Sequence, residues 1–545
     1  MHDAPLEAHA GEPVRFGRAD GPELQWQFGD GSPEVTASTV EHTFPRSGQY
    51  RVQGLRRGRA FEQVAVGVSP RAVLRAVPAD AELVLFVPRT QGALEPAVDF
   101  LERALQGLAS GLAEKQAFAR YALELSGGPP PEETGLDPEE GLAAFVLPDP
   151  AVVVAAVGIA DETRALQFAR RQFGGEDLRV VRHDADGLLL EDATRGDRLL
   201  AFGDRGYLYL ARFDPELVAA DGPARLLRAI RGAERAGVEA DGRLQRLRAK
   251  VGGEAQAFLF LPRLSLARED SALAGFRFTA DALEIDGLLE SKTPMWREDD
   301  EAPRAQRLPL LERGPENPVL AATFSAPPRA LSEFLLGAGL QRGGVKEDGE
   351  GAITALAEVL TGEAWISGWV DPQRTGERMA AGDGSPNFAG TLWADFGIRD
   401  RKRAILLVDE LLGRAGLRYA VEDAGGTARF EVKHPEWPGR VEVHADRVTV
   451  RVGEPVGARK TVPLAQTLQP RAFEGSFGPS RVSVLLDVGQ LLRELDPQGG
   501  GRGREAAMRA LLVSFVMGFS AVDAVVLDVS PAEEGARFQG RVTLR

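Results

Sequence analysis

An internal repeat constrains this chain more than any other feature. The segment GIADETRALQFARRQFGGEDLRVV at 158–181 aligns without a gap to GIRDRKRAILLVDELLGRAGLRYA at 397–420. Eight of the 24 aligned positions are identical, among them Gly158/Gly397, Asp161/Asp400, Gly174/Gly413 and Leu178-Arg179/Leu417-Arg418. The flanks follow. GLAAFVLPDP before the first copy corresponds to EAWISGWVDP before the second, with a loop of about 17 residues, RTGERMAAGDGSPNFAG, added in the later copy. Self-similarity on this scale implies one folding unit used twice. The expectation is two tandem homologous domains, 77–292 and 316–545, joined by a charged, proline-containing linker at 293–315.

Each copy reads as α+β with mainly antiparallel strands. In the first, the apolar run ELVLFVP precedes helical spacing from Glu95 to Leu125, with Val98, Leu101, Leu105 and Leu108 at intervals of three and four. Strands AAFVL and VVVAAVG follow. Asp161 then stands at the N-cap of ETRALQFARRQF, and Asp400 mirrors it in the second copy. Four short runs separated by D-G, G-D and D-R-G turns predict an antiparallel meander. A basic helix, ARLLRAIRGAERA, leads to three last strands, and helices packed on one face of the sheet complete the expected arrangement.

Residues 12–68 are patterned differently. VRF, LQWQF, STVEHTF, QYRVQGL and EQVAVGV are short apolar-rich runs broken by Gly, Pro, Asp and Ser, the spacing of a β-sandwich. Trp26 and Phe28 lie two apart and share a strand face. Gly29-Asp30-Gly31 supplies a tight turn, with Asp30 bonding to nearby backbone as the structural reading and holding a cation as the functional one. GDGSP recurs at 382–386 without an aromatic partner, which favours the turn. Trp26, Phe28, Gly29, Asp30, Gly31, His42, Thr43, Phe44, Gly48, Tyr50 and Val52 together resemble the W-x-F-G-D-G…H-T-Y…G-x-Y-x-V pattern of PKD domains, with Phe44 where Tyr is usual. The resemblance covers residues 5–69 and assigns residues 1–70 to an immunoglobulin-like all-β sandwich. It implies a module of surface and secreted proteins that spaces other domains or contacts proteins or glycans. In the body, V-P-A-D-A-x-L (Val77–Leu83) and G-L-D-P-E-E-G-L (Gly135–Leu142) resemble the DUF3352 family of extracytoplasmic bacterial proteins, though the second copy lacks the P-A-D-A opening. The whole is similar to myxobacterial extracytoplasmic lipoproteins, which places it in the periplasm or on the outer membrane or cell surface of a Gram-negative bacterium.

Composition narrows the partners. A net charge of −15 argues against nucleic acid, whose phosphates need clustered cations. Of the 65 basic residues only seven are lysine, and asparagine occurs twice, a skew that fits a GC-rich genome better than selection for guanidinium chemistry. The absence of cysteine excludes disulfides, zinc-thiolate sites, iron–sulfur clusters and thiol nucleophiles. MHDAPLEAHAGEP has neither the basic start nor the apolar core of a signal peptide, and no structured pattern. It reads as a mature N-terminus, with Met1 where a lipid-bearing residue stood. ALLVSFVMGFSAVDAVVL at 510–527 contains Asp523, so a helix followed by a buried strand is expected there, and no transmembrane segment.

Catalytic signatures are missing. The six histidines, His2, His9, His42, His183, His434 and His444, form no metal-binding spacing; His2 and His9 sit in a flexible start, and His183 and His444 fall in meander strands. There is no G-x-S-x-G elbow and no Walker loop, and GAGLQRGG at 337–344 misses the dinucleotide spacing. Pairs such as Asp184/Asp186 and Glu284/Asp286 fall at or beside predicted turns. Trp365, Trp369 and Trp393 cluster in the second copy, where the first has Ala143, Leu147 and Val154. They are either core of a bulkier copy or a partner surface. The expected function is non-enzymatic and without cofactor or metal: an extracytoplasmic binding or scaffold protein that contacts a protein or an envelope polymer. The alternatives are a glycan-active enzyme using paired carboxylates, with the N-terminal module as accessory, and a periplasmic envelope-assembly chaperone.

Overall fold

The structure is a computed structural model. It describes residues 6–104, 131–291, 314–332, 349–370, 390–453, 461–462, 482–491 and 521–545, with short breaks inside several of these stretches. The N-terminal module has seven strands: β1 (Leu6–His9), β2 (Pro13–Gly17), β3 (Leu24–Gln27), β4 (Val35–Ala37), β5 (Thr39–Thr43), β6 (Gly48–Arg56) and β7 (Arg59–Ser69). Five form a sheet in the order β1-β7-β6-β3-β4, and β2 pairs with β5. Alternation along β2, β3 and β7 sends Val14, Phe16, Leu24, Trp26, Val64, Val66 and Val68 into one core with Phe28, Phe44 and Val52. The opening residues depart from expectation. Leu6–His9 is a strand, parallel to β7, with Leu6 opposite Val66 and His9 opposite Ser69. Its order comes from the ladder of β7, which a short segment with no alternation of its own does not reveal.

The chain divides into two compact units. The first takes the N-terminal module and most of the chain up to Arg277; the second takes most of it from Phe278 onward. The first unit's body holds β8 (Leu83–Val87), β9 (Leu142–Pro148), β10 (Ala151–Gly158), β11 (Leu178–Asp184), β12 (Gly187–Asp192), β13 (Arg198–Asp204), β14 (Tyr207–Phe213), β15 (Ala257–Leu261) and β16 (Ser271–Phe278). They pair antiparallel in the order β16-β15-β8-β9-β10-β14-β13-β12-β11. The expected meander is β11 to β14, and it closes by returning β14 to β10. Helix α1 (Leu94–Ala104) follows β8, and its end belongs to the second unit. The rest of the expected span to Leu125 lies outside the described residues. Then come α2 (Pro131–Thr134), α3 (Glu162–Phe173), α4 (Gly222–Gly232) and α5 (Gly242–Lys250). The α3 face built from Ala165, Phe168 and Ala169 is buried over β12, β13 and β14. Helix α5, which the sequence reading passed over, is capped by Asp241, whose carboxylate accepts from Arg243 N at 2.8 Å.

The second unit holds β17 (Ala282–Glu290), β18 (Gly314–Pro315), β19 (Leu320–Ser325), helix α6 (Gly349–Val359), β20 (Leu360–Val370), β21 (Gly390–Ile398), helix α7 (Arg401–Arg414), β22 (Tyr419–Ala424), β23 (Thr427–Val432), β24 (Gly439–Val443), β25 (Arg447–Val452), β26 (Thr461–Val462), β27 (Val482–Asp487), β28 (Val522–Ala532) and β29 (Gly535–Leu544). Its sheet runs β17-β29-β28-β27-β19-β20-β21-β25-β24-β23-β22, antiparallel throughout, with β18 and β26 paired separately. From β28 to β22 this order matches, strand for strand, the order from β16 to β11 in the first unit. The described residues are predominantly strand, with few helices. The strand β17, expected to close the first domain at 292, is grouped with the second unit because it pairs along its whole length with β29. Most of the expected linker, 293–313, lies outside the described residues, as do 510–520 of the late apolar run, whose last six residues open β28.

The repeat's identical residues have physical reasons. A Cβ on Gly158 would collide with the Cβ of Glu140, and one on Gly397 with the hydroxyl of Thr361. Ile159 and Ile398 are buried, and their N–H groups donate at 2.9 Å to Gly206 O and Asp446 O at the corresponding meander turns. Asp161 accepts from Arg164 N at 3.0 Å, and Asp400 from Lys402 N and Arg403 N at 2.9 and 3.1 Å, so both expected caps are present. Ala165 and Ala404 are the small buried residues that let α3 and α7 approach their sheets.

Candidate functional site

The turn after β3 is the first candidate. Gly29 and Gly31 have φ of +78° and +85°, the left-handed region open to glycine. Asp30 between them is saturated from within. Its Oδ1 accepts from Ser32 N at 3.0 Å and Ser32 Oγ at 2.6 Å, and its Oδ2 lies 2.7 Å from His42 Nε2. Burial alone would raise the Asp30 pKa; the Ser32 and His42 hydrogen bonds and the His42 charge outweigh it and hold the carboxyl below its ordinary value. His42 stacks on Phe28 with ring centres 3.7 Å apart, and Phe44 stacks on Tyr50 at 4.6 Å. Trp26 is fully buried and donates Nε1 to Ala37 O at 3.1 Å. Gly48, at φ +152°, begins β6 with its Cα facing the Tyr50 ring. The aromatic, histidine and aspartate side chains of the motif hold the fold, and both Asp30 oxygens are bonded within the module, with the side chain 3% exposed.

Of the two readings open for the tryptophans of the second unit, core or partner surface, the structure places Trp365 and Trp369 in the core. Trp365 and Trp369 are 1% and 4% exposed, so neither indole is presented to a partner. Both share a β20 face with the buried Ser367, and the strand is interior, with Leu360 and Ala364 buried as well. Trp393 is half-buried beneath the Arg451 guanidinium, 4.1 Å from its ring centre. Ladder positions equate these residues with Ala143, Leu147 and Val154 of the first unit, as the sequence alignment expects.

What sequence reasoning missed is the row on which Trp365 lies. Following the ladders across the second unit, Asp286, Gln539, Asp528, Ser483, Thr323, Trp365, Asp395, Thr449, Glu442, Arg429 and Glu422 stand side by side, one per strand. Six of the central members, from Asp528 to Thr449, are at most 4% exposed. Asp395 anchors the row, accepting from Trp365 Nε1 at 3.2 Å and from Thr449 Oγ1. The corresponding first-unit residues, Phe258, Phe86, Ala143, Ala156 and Tyr209, are apolar except for a buried Tyr209 hydroxyl that donates to Ala76 O at 3.0 Å. Burial pushes the Tyr209 pKa far up. The large aromatic of the row stands on β14 as Tyr209 in the first unit and on β20 as Trp365 in the second; the corresponding positions of the other unit are Thr449 on β25 and Ala143 on β9. Period-two patterning could show that these residues share a face within a strand, but not that eleven strands align them.

The acidic pair Glu284/Asp286 is committed to cross-strand ion pairs. Arg541 lies 3.0 Å from Glu284, and Arg537 grips Asp286 through two hydrogen bonds of 2.9 and 2.7 Å. Asp186 and His2 lie outside the described residues, and Asp184 and His183 end β11. His9 is in β1, and His444 lies in the β24–β25 turn rather than in a strand; burial first, then Arg447, lowers its pKa. Among the described residues no group of three or more His, Asp or Glu could hold a metal ion, and no helix is long and apolar enough to cross a membrane.

With this geometry in place, the PKD domain family matches residues 3–54. The N-terminal module is a PKD domain. No curated protein and no solved structure matches the chain.

Proposed function

We propose that the chain is a non-enzymatic extracytoplasmic binding or scaffold protein, in which a PKD module is carried by a duplicated α+β body that contacts a protein partner or an envelope polymer. The observation that carries this reading is the PKD domain, since PKD domains are typically extracellular modules. The matching strand orders of the two units support a duplication, and the N-caps, glycines and buried alanines shared at 158–165 and 397–404 support it residue by residue. Of the acidic pairs, Glu284/Asp286 is bound to Arg541 and Arg537, which favours a structural role over acid–base work. The resemblance of the body to DUF3352 proteins and to myxobacterial lipoproteins fits the periplasm or the outer membrane of a Gram-negative cell.

The test uses the immobilised full chain against purified peptidoglycan, exopolysaccharide and outer-membrane protein fractions, with retention and new reducing ends measured together. Saturable retention without turnover is expected. Turnover of a polymer that Glu284→Gln or Asp286→Asn abolishes would replace this reading by an enzymatic one.

A further inference from the structure

The second unit contains an apolar pocket that the reading above does not use. It lies between α6, α7 and the sheet, has a volume of about 280 Å³, and is lined by Leu356, Leu360, Phe396, Leu407, Val441 and Val448 together with seven more apolar residues. No polar side chain lines it. The α7 wall runs from Ala404 to Leu412, eight steps along the helix, or roughly 12 Å at 1.5 Å per residue.

The first unit serves as an internal control. Ladder registers equate Phe396, Val448, Val450 and Val441 with Val157, Leu208, Leu210 and Ala201, and the sequence alignment equates Leu407 and Val408 with Phe168 and Ala169. All six first-unit residues are buried, Leu210 being the most exposed at 7%. In the second unit Phe396, Val450, Leu407 and Val408 are only half-buried, and Leu411 reaches solvent. Among the described residues, the corresponding helix is packed over its strands in the first unit and leaves these apolar groups part-exposed in the second. Interiors of folded proteins are close-packed, and unfilled apolar volume costs stability as it grows.

We infer that this pocket binds a single alkyl chain. A half-open space lined by apolar side chains alone suits a hydrocarbon chain whose polar end stays in water, and offers no side chain to orient a polar or charged ligand. An engineered cavity of about 150 Å³ takes benzene, so about 280 Å³ accommodates roughly ten carbons. The site is independent of the PKD-based reading and would stand if that reading failed.

Titration of the full chain with decanoate, with hexanoate and with decanol, followed by calorimetry and by heteronuclear NMR, tests it. Saturable one-to-one binding of decanoate and decanol is expected, with hexanoate at least tenfold weaker. Phosphatidylcholine vesicles form a second arm: competition with decanoate identifies a lipid tail as the source, and no competition identifies a free amphiphile; either result keeps the alkyl-chain site. Leu407→Phe, which places the first unit's Phe168 in the pocket, should weaken decanoate binding at least tenfold while the melting temperature holds or rises. Absence of saturable decanoate binding to the unmodified chain, or equal binding by Leu407→Phe, overturns the inference.

Discussion

Truncating Trp26 to alanine removes the largest buried side chain of the PKD module. The indole is 0% exposed and lies 6.0 Å, centre to centre, from Phe16. Two of its walls are glycines: a Cβ on Gly54 would approach the ring to 3.2 Å, and one on Gly17 to 3.1 Å. Neither neighbour has a side chain that can fall into the hole, so the site collapses poorly and the cost belongs at the upper part of the ~3–5 kcal/mol range for such truncations. Loss of the Nε1 donor leaves Ala37 O needing a new partner, about 1 kcal/mol or more. For a domain of this size ~1 kcal/mol moves the melting temperature by ~4–8 °C, so the module's transition should fall by at least ~12 °C, or vanish at room temperature. Calorimetry of the full chain, with Trp26→Phe as a partial restoration, measures this. A shift below about 5 °C would refute the argument that Trp26 is irreplaceable core.

Three further outcomes follow from the same geometry. The Asp30 carboxyl is held below its ordinary value in the fold, so its contribution to stability is present above the unfolded pKa near 4 and is lost as pH falls further; the acid limb of the PKD module's stability should flatten in Asp30→Asn, seen by thermal melts between about pH 2 and 6. Gly158→Ala should cost more than Gly397→Ala, on the order of 1–3 kcal/mol, because the new Cβ meets the Cβ of Glu140 in one case and the rotatable hydroxyl of Thr361 in the other; denaturant unfolding of both variants decides it. Asp161→Ala and Asp400→Ala should each lose about 1 kcal/mol, and unequal losses greater than about twofold would argue that the two caps are not equivalent.

The sequence revealed what is local. The PKD turn, the two N-caps, the meander and the correspondence of Trp365, Trp369 and Trp393 with Ala143, Leu147 and Val154 depend on neighbours in the chain or on alignment, and both are legible in one dimension. What was not legible depends on pairings between distant strands. The first strand, β1, takes its order from β7, 60 residues on. The strand β17 looks like the end of one domain but is laddered to β29 at the end of the chain. The sequence left Trp365 and Trp369 open between core and surface because composition cannot say how deeply β20 is buried, and their hydrogen-bonding row exists only once the strands are in register. The pocket depends on side chains of α6, α7, β21, β24 and β25 meeting in space, which the pattern of α7 alone does not set.

The account of the body rests on one strand order being used twice, and disulfide trapping in this cysteine-free chain tests that most directly. Leu85 stands opposite Leu259 in β8 and β15, and Ala322 opposite Val484 in the corresponding strands β19 and β27. Cysteines introduced at each pair should oxidise to an intramolecular disulfide in the folded chain, whereas pairs shifted by one residue, Leu85 with Phe258 and Ala322 with Ser483, point to opposite faces and should not. The measurement is the mass of the linked peptides after proteolysis under native oxidation. Linkage of both in-register pairs and of neither shifted pair is the predicted result. Linkage in one unit only, or of the shifted pairs, would contradict it.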